Sequence, residues 1–188
     1  MARLFQYVGA KAIADLQVNK PAGILVCSPA DVIRWRDMSD QEVCGPNEYV
    51  ATFTVDEKNR LRIAHRRSEH VACSGRSPVL SAGEIAFTIV KDVVEVTWVT
   101  NQSTGYCPEP KSWPAVKFAL LNAGIDPPDE FTWNFDFRRC EQCQTINVVK
   151  ANLFECEVCG SELSQEWNFQ DKSGCDLGKH DGGSNCYP

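Results

Sequence analysis

Alternating apolar and polar positions predict β-hairpins in the first hundred residues. Residues 49–55 are rich in β-branched and aromatic side chains, which are typical of a strand. After a polar turn, residues 60–64 alternate, so that Leu61 and Ile63 face a core. A second hairpin with a tight connection is predicted for residues 85–90 and 93–100. These strands predict a mainly antiparallel sheet.

Helices are predicted from the residues that begin and end them. Ser28 before Pro29 is a typical N-terminal cap, and it predicts a short helix to about Met38. A second helix, residues 115–123, carries apolar side chains at helical spacing and ends before Gly124. Few helices and many strands indicate an α+β fold.

An aromatic run begins the C-terminal part of the chain. It alternates with polar residues and predicts a strand, with Trp167 and Phe169 packing beside it. A platform that stacks nucleic-acid bases is the alternative. The run consists of Phe131, Trp133, Phe135 and Phe137.

Four cysteines form two C-x2-C pairs separated by twelve residues, namely Cys140 with Cys143 and Cys156 with Cys159. Each pair makes a tight turn that places two thiolates on one side of the backbone, and two such turns can surround a tetrahedral Zn²⁺. The arrangement resembles a zinc ribbon. Iron in the same four thiolates, and cysteines without metal, are the alternatives. A site with four protein ligands is closed to water, so we expect one structural zinc.

The other cysteines are isolated along the chain. We expect Cys27, Cys44 and Cys73 to act as small buried hydrophobic residues. The last stretch contains Cys175, His180 and Cys186, which suit either a second metal site or a disulfide. A flexible tail is the preferred prediction there, because residues 171–188 contain almost no apolar side chain.

These patterns predict a mainly antiparallel β-sheet domain with a few short helices, followed by a C-terminal zinc ribbon. The expected boundaries are residues 1–130 for the main domain, 131–170 for the ribbon and 171–188 for the tail. The start of the chain does not resemble an export signal, and no apolar run is long enough for a membrane span. A soluble, cytoplasmic protein without membrane contact is therefore predicted.

Charge is distributed unevenly along the chain. The formal net charge is −6, with +2 on residues 1–76 and −8 on the remainder. An excess of acidic residues argues against a protein that coats nucleic acid by bulk attraction. Residues 58–76 are the exception, with a net charge of +5, whereas residues 138–167 of the ribbon carry −2. The ribbon is therefore expected to pack within the protein or to dock on another protein rather than to contact nucleic acid.

The basic stretch contains a candidate anion-binding site, because arginine forks suit phosphate and carboxylate groups. A solvated strand face whose charges offset nearby carboxylates is the alternative. The candidate residues are Arg60, Arg62, Arg66, Arg67 and Arg76.

A loop after the second hairpin offers a further candidate site, because polar loops at strand ends are common places for function. The loop consists of residues 101–110, and a plain structured connection is the alternative. A wider set of positions leads from the basic stretch into this loop, namely His70, the Ala82–Gly83 turn, Ser103, Tyr106 and Pro108. Their order resembles a pattern in plant IQ-motif calmodulin-binding proteins and in bacterial effector-like proteins. Gly105 departs from it where that pattern has a histidine, and no IQ motif is present. The resemblance implies that His70 and Tyr106 approach each other across one sheet.

Three functional hypotheses follow. The first is a zinc-ribbon binding or regulatory protein whose acidic C-terminal half meets a basic protein partner. The second is an enzyme on a nucleotide-like or phosphorylated substrate, such as an ADP-ribosyl transferase, with His70 and Tyr106 as catalytic residues. The third is a nucleic-acid-binding protein that uses the basic stretch. Motifs of the common enzyme classes are missing from the sequence, so whether the chain is an enzyme stays open.

Overall fold

The computed structural model describes residues 3–38 and 43–169. No helix in these two ranges is long and apolar enough to cross a membrane. The helices are α1 (Lys11–Leu16), α2 (Pro29–Asp37), α3 (His70–Cys73) and α4 (Trp113–Asn122), with a 3-10 turn at Pro110–Ser112. The strands are β1 (Ile24–Val26), β2 (Val43–Gly45), β3 (Glu48–Val55), β4 (Leu61–His65), β5 (Ser81–Val90), β6 (Val93–Val99), β7 (Asp136–Arg139) and β8 (Ile146–Val149).

The main sheet is antiparallel and has the strand order β1-β4-β3-β5-β6, with β2 paired to the start of β3. Both predicted hairpins lie in it, as β3 with β4 and as β5 with β6. The second hairpin closes between Val90 and Val93, and its two connecting residues, Lys91 and Asp92, both have positive φ. The predicted α+β fold with a mainly antiparallel sheet is confirmed.

The predicted turn at Ala82–Gly83 is wrong, because both residues lie inside β5. Gly83 pairs with Phe53 of β3, and a Cβ atom at position 83 would lie 2.0 Å from the carbonyl oxygen of Thr100. The glycine is required because another backbone approaches it closely, not because the chain turns there.

One face of the main sheet is covered by α2 and α4. Val32 and Trp35 of α2 and Leu120 of α4 pack against Phe53 and Phe87 of the sheet. Both predicted helices are confirmed, with α4 starting two residues earlier than expected. These contacts form the larger hydrophobic core, to which strands and helices contribute together.

The opposite face is covered by α3 and by the N-terminal segment. Phe5, Val71 and Tyr106 meet there in a smaller cluster, with Tyr7 and Trp167 at its border. Phe5 also forms a backbone bridge to Val79. This cluster brings the start of the chain beside residues that follow the cysteine pairs.

The aromatic run is a strand only at its C-terminal end, where β7 pairs with β8 in a separate two-stranded sheet. Phe131 instead packs against Trp113 in the main core, at a ring distance of 4.9 Å. Phe137 does face inward and meets Phe169. The prediction that residues after the cysteine pairs join this packing is confirmed.

Candidate metal centre

The first cysteine pair lies in a compact turn, which we call the first knuckle (residues 140–145). The Cys140 N–H donates to the Thr145 carbonyl (2.9 Å), and the Gln144 N–H donates to the Cys140 carbonyl (2.9 Å). Gln144 adopts a φ of 63°, a left-handed conformation that a residue other than glycine rarely takes. The turn therefore holds Cys140 and Cys143 on the same side of the backbone.

The second pair lies in an equivalent turn, the second knuckle (residues 156–161). The Cys156 N–H donates to the Ser161 carbonyl (2.8 Å), and the Gly160 N–H donates to the Cys156 carbonyl (2.9 Å). Gly160 has a φ of 71°, close to the value in the first knuckle. Two turns with the same hydrogen-bond pattern thus bring two thiol pairs together from different parts of the chain.

The four sulfur atoms cluster as a metal site would require. All four lie within 4.8 Å of one another. Cys140 Sγ is 3.5 Å from Cys159 Sγ, and Cys143 Sγ is 3.6 Å from Cys156 Sγ. These distances are too long for disulfides, whereas a Zn–S bond of about 2.3 Å gives a tetrahedron with sulfur atoms about 3.8 Å apart. The cluster fits one tetrahedral ion and is consistent with a zinc-ribbon-like module.

Hydroxyl and backbone donors favour thiolates at three of these cysteines. Hydrogen bonds from the Thr145 hydroxyl and from the Ser161 hydroxyl hold the pKa values of Cys143 and Cys159 below the usual range. The backbone N–H of Cys159 does the same for the pKa of Cys156. Since metal binding requires thiolates, these donors prepare the site for a cation.

Cys140 differs from the other three cysteines in the direction of its pKa shift. The Cys143 backbone N–H lowers the pKa of Cys140, but burial and the neighbouring Cys159 thiol outweigh this effect and raise that pKa to about 11. A cation among the sulfur atoms would displace the proton from Cys140.

Asn147 joins the two knuckles, and sequence reasoning missed it. Its side-chain amide donates to the Thr145 carbonyl of the first knuckle (2.9 Å), and its oxygen accepts the Glu157 N–H of the second (3.1 Å). The residue is buried. A lone asparagine in a strand carries no sequence signal for this role, because the contact depends on how the two turns meet.

Arg138 is buried between the ribbon strands and the segment that follows the second knuckle. Its guanidinium donates to the carbonyls of Phe137 (2.8 Å), Ser164 (3.1 Å) and Gln165 (2.9 Å). The Arg138 guanidinium thus satisfies backbone carbonyls, because a buried carbonyl without a hydrogen bond would cost folding free energy. Arg138 therefore ties the two ends of the ribbon together.

Two further contacts fix the ribbon to the main domain. The Arg139 guanidinium donates to the Val8 carbonyl (3.1 Å), and the Trp167 indole N–H donates to the Cys107 carbonyl (2.7 Å). Arg139 directly precedes Cys140, and Trp167 lies eight residues after Cys159. The metal centre is consequently held against the N-terminal segment and the loop after β6.

Asn101 anchors that loop from within the core. Its side chain donates to the carbonyls of Pro108 (2.8 Å) and Phe135 (2.8 Å) and accepts the Phe135 N–H (2.7 Å). Asn101 is fully buried. The polar loop at the strand end is thus a structured connection between the sheet and the ribbon.

The structure gives His70 and Tyr106 separate hydrogen-bond partners. His70 Nε2 lies 3.0 Å from the Gly83 carbonyl, and burial lowers the pKa of His70. The Tyr106 hydroxyl lies 2.6 Å from Ser74 Oγ and donates to the Ser77 carbonyl (2.9 Å). Burial raises the pKa of Tyr106 to about 12. These contacts describe structural roles, and the catalytic assignment stays a prediction.

The candidate anion-binding arginines lie in different surroundings. Arg67 lies next to His65, and its backbone N–H donates to the His65 ring, whereas Arg76 is exposed with positive φ. The proposed anion role stays a prediction for all five. Three of them bind acceptors of the protein itself: Arg60 binds Asp56 (2.7 Å), Arg62 the Gly23 carbonyl (3.0 Å) and Arg66 Glu84 (3.2 Å).

Only one of three isolated cysteines fits the expected buried role. Cys73 is buried, and burial raises its pKa to about 12. Cys27 and Cys44 are exposed, so that prediction is wrong for them. Each lies in or beside a short edge strand, where its side chain points away from the core. The predictions for Cys175, His180 and Cys186 lie outside the described residues.

Comparisons of the chain with known proteins do not identify a family for it. No protein-family model matches the chain, and neither the curated proteins nor the solved structures gave a match. The metal centre therefore rests on its own residues and distances.

Proposed function

We propose that the chain is a zinc-binding protein whose ribbon is a structural module that binds a partner protein. The observation that carries the proposal is the cluster of four cysteine sulfur atoms within 4.8 Å. Four soft thiolate ligands in a tetrahedron are typical of structural zinc. Such a set leaves no coordination position for a substrate or a reactive water.

The small core of the ribbon supports a structural role for the metal. Its own hydrophobic cluster consists of Cys140, Cys156 and Leu163, with Phe154 beside it. So few apolar side chains contribute little to folding, whereas structural zinc supplies on the order of 10 kcal/mol or more of apparent binding free energy. We therefore expect the ribbon to fold only around the ion.

The exposed charge of the ribbon favours a basic polypeptide as partner. Arg138 and Arg139 bind backbone carbonyls, and the exposed Lys150 pairs with Glu157 at 2.7 Å. Glu155 and Glu162 form an isolated antiparallel β-bridge and lie directly opposite each other, where like charges repel. All five glutamates of the ribbon are exposed: Glu141, Glu155, Glu157, Glu162 and Glu166.

The alternatives have less support. Nucleic-acid binding depends on cations that face phosphates, and Arg138 and Arg139 are engaged with backbone carbonyls. An enzyme at His70 and Tyr106 would need an accessible tyrosine hydroxyl, yet Tyr106 is fully buried. Neither alternative is favoured by a specific contact.

Native mass spectrometry of untagged protein tests the metal first. We expect one zinc ion per chain and its loss with a strong chelator, with unfolding of the ribbon followed by the fluorescence of Trp167. A protein that binds no metal, or an apo form with an unchanged ribbon, would contradict the proposal.

A peptide-binding experiment tests the partner class. A fluorescent lysine-rich peptide and an oligonucleotide are titrated by anisotropy against the wild type and against Glu155→Lys/Glu162→Lys. The matched control is Glu95→Lys, at an exposed position of the main sheet. We expect the peptide alone to bind, and the ribbon variant alone to lose binding. Preference for the oligonucleotide, with affinity that falls steeply as salt rises, would favour the nucleic-acid hypothesis instead.

A further inference from the structure

A large cleft lies where the main domain meets the ribbon, and we call it the interface cleft. Its volume is about 860 Å³, in the upper part of the range for binding pockets. Phe5, Leu80 and Ala115 line it from the main domain, and Trp167 lines it from the segment after the second knuckle. The cleft therefore has room for several side chains of a ligand, and both parts of the protein contribute to it.

The interface cleft already binds one guanidinium group, that of Arg3. The centre of this group lies 4.6 Å from the centre of the Trp167 ring, and Nη1 of Arg3 donates to the Glu109 carboxylate. An aromatic face beside a carboxylate suits arginine, because the planar guanidinium stacks on the ring while its N–H groups reach the carboxylate. The contact thus shows which chemical group these two side chains accept.

The two side chains that receive the guanidinium are held more firmly than Arg3 itself. The Trp167 indole N–H donates to the Cys107 carbonyl (2.7 Å), and the ring packs edge-on against Phe5. The Glu109 side chain is 18% exposed, whereas that of Arg3 is 45% exposed, and Arg3 belongs to none of the helices and strands. One ion pair and one cation–π contact at an exposed side chain hold Arg3 only weakly. A second guanidinium can therefore replace it at little cost.

The remainder of the cleft offers carboxylates to further cations of a ligand. Glu166 is exposed, and its carboxylate forms no hydrogen bond or ion pair with the residues that the structure describes. The Asp136 side chain is 45% exposed, and its Oδ1 atom lies 3.8 Å from Arg138 Nη1, too far for a hydrogen bond. Without Arg3, the charged residues of the described lining are three carboxylates against Lys111 and the buried Arg138. This balance favours a basic ligand.

We propose that the interface cleft binds a basic segment of the partner protein, and that an arginine of this segment replaces Arg3 on Glu109 and Trp167. Arg3 is then an intramolecular competitor, which lowers the affinity for every such segment. Other basic side chains of the segment pair with Asp136 and Glu166. The inference rests on the proposed function, because it names where the basic partner binds and which of its residues is recognised.

Removal of Arg3 tests the competition directly. Fluorescent arginine-rich and lysine-rich peptides of equal length are titrated by anisotropy against the zinc-loaded wild type, Arg3→Ala and Arg34→Ala. Arg34 is the matched control, because it is an exposed arginine outside the cleft that pairs with Asp31 (3.0 Å). We expect Arg3→Ala to bind the arginine-rich peptide about tenfold more tightly than the wild type, and Arg34→Ala to bind as the wild type does. A purely structural Arg3 predicts equal or lower affinity instead.

A second substitution in the Arg3→Ala background tests the carboxylate. Glu109→Gln keeps the shape of this side chain and removes its charge. We expect Arg3→Ala/Glu109→Gln to bind the arginine-rich peptide about tenfold more weakly than Arg3→Ala. We also expect Arg3→Ala to prefer the arginine-rich over the lysine-rich peptide, because only a guanidinium can stack and form a fork of hydrogen bonds, and the double variant to lose this preference.

The inference is overturned if Arg3→Ala binds the arginine-rich peptide no more tightly than Arg34→Ala, or if the double variant binds as Arg3→Ala does. Binding that is lost in Glu155→Lys/Glu162→Lys but unchanged by Arg3→Ala overturns the inference and leaves the proposed function intact. If no variant binds either peptide, the basic partner and the inference are both wrong, while zinc binding is decided by its own measurement.

Discussion

Replacement of Asn147 by alanine tests how the two knuckles form one metal site. The change removes the bond to Thr145 in one knuckle and the bond from Glu157 in the other. Each bond contributes about 0.5–1.5 kcal/mol, so about 1–3 kcal/mol of the free energy that holds the knuckles together is lost. If these two bonds form only when the ribbon is folded around zinc, the zinc affinity of Asn147→Ala falls about 5- to 150-fold.

Competition with a chromophoric zinc chelator measures the affinity directly. Gln142→Ala is the matched control, because it removes an exposed amide from the first knuckle without touching either bond. Asn147→Asp refines the test: its carboxylate still accepts the Glu157 N–H but cannot donate to Thr145. We expect the order of zinc affinity to be wild type and control, then aspartate, then alanine.

One result would refute this reasoning. If Asn147→Ala binds zinc as tightly as Gln142→Ala while its main domain unfolds at a lower temperature, Asn147 contributes to general stability and not to the metal site. The separation is possible because both of these hydrogen bonds join Asn147 to residues of the ribbon.

Three further outcomes are expected. Gly83→Ala should destabilise the protein by at least about 3 kcal/mol in urea unfolding, because its Cβ atom would collide with the Thr100 carbonyl oxygen. Tyr106→Phe should cost about 1–3 kcal/mol in the same assay, because Ser74 loses a buried partner. The Cys27 N–H and other donors lower the pKa of Asp31 in the folded protein. The ionised Asp31 therefore contributes fully to the free energy of unfolding above its unfolded pKa of about 3.9. This contribution is lost as the pH falls through the lower pKa of the folded state. The stability difference between wild type and Asp31→Asn should therefore shrink in urea titrations at acid pH.

Local chemistry explains which parts of the fold could be predicted. The strands around Leu61 and Ile63 carry strict alternation, and both side chains are fully buried. The helix after Ser28 is marked by its own cap, since Asp31 accepts hydrogen bonds from the Ser28 backbone and hydroxyl. The cysteine spacing likewise contains all the information that a four-thiolate cluster needs.

Contacts between distant segments explain what could not be predicted. Gly83 suggested a turn, but its reason is the approach of Thr100, seventeen positions along the chain. Asn101 and Asn147 look like ordinary polar residues, and each acquires its role only when separate segments meet around it. The arginines of the basic stretch are close together in the sequence. In the structure they contact different residues, because side chains alternate between the two faces of a strand and the chain turns after it.

The metal site, the exposed glutamates of the ribbon and the main domain are connected through the residues beside the cysteines. Glu155 and Glu157 flank Cys156, so their positions depend on the second knuckle and hence on the ion. Arg139 precedes Cys140, and its backbone exchanges two hydrogen bonds with the side chain of Asn168. Loss of zinc should therefore disturb the acidic surface first, because the knuckles hold it directly. The main sheet has its own core on α2 and α4, so we expect it to stay folded when zinc is lost.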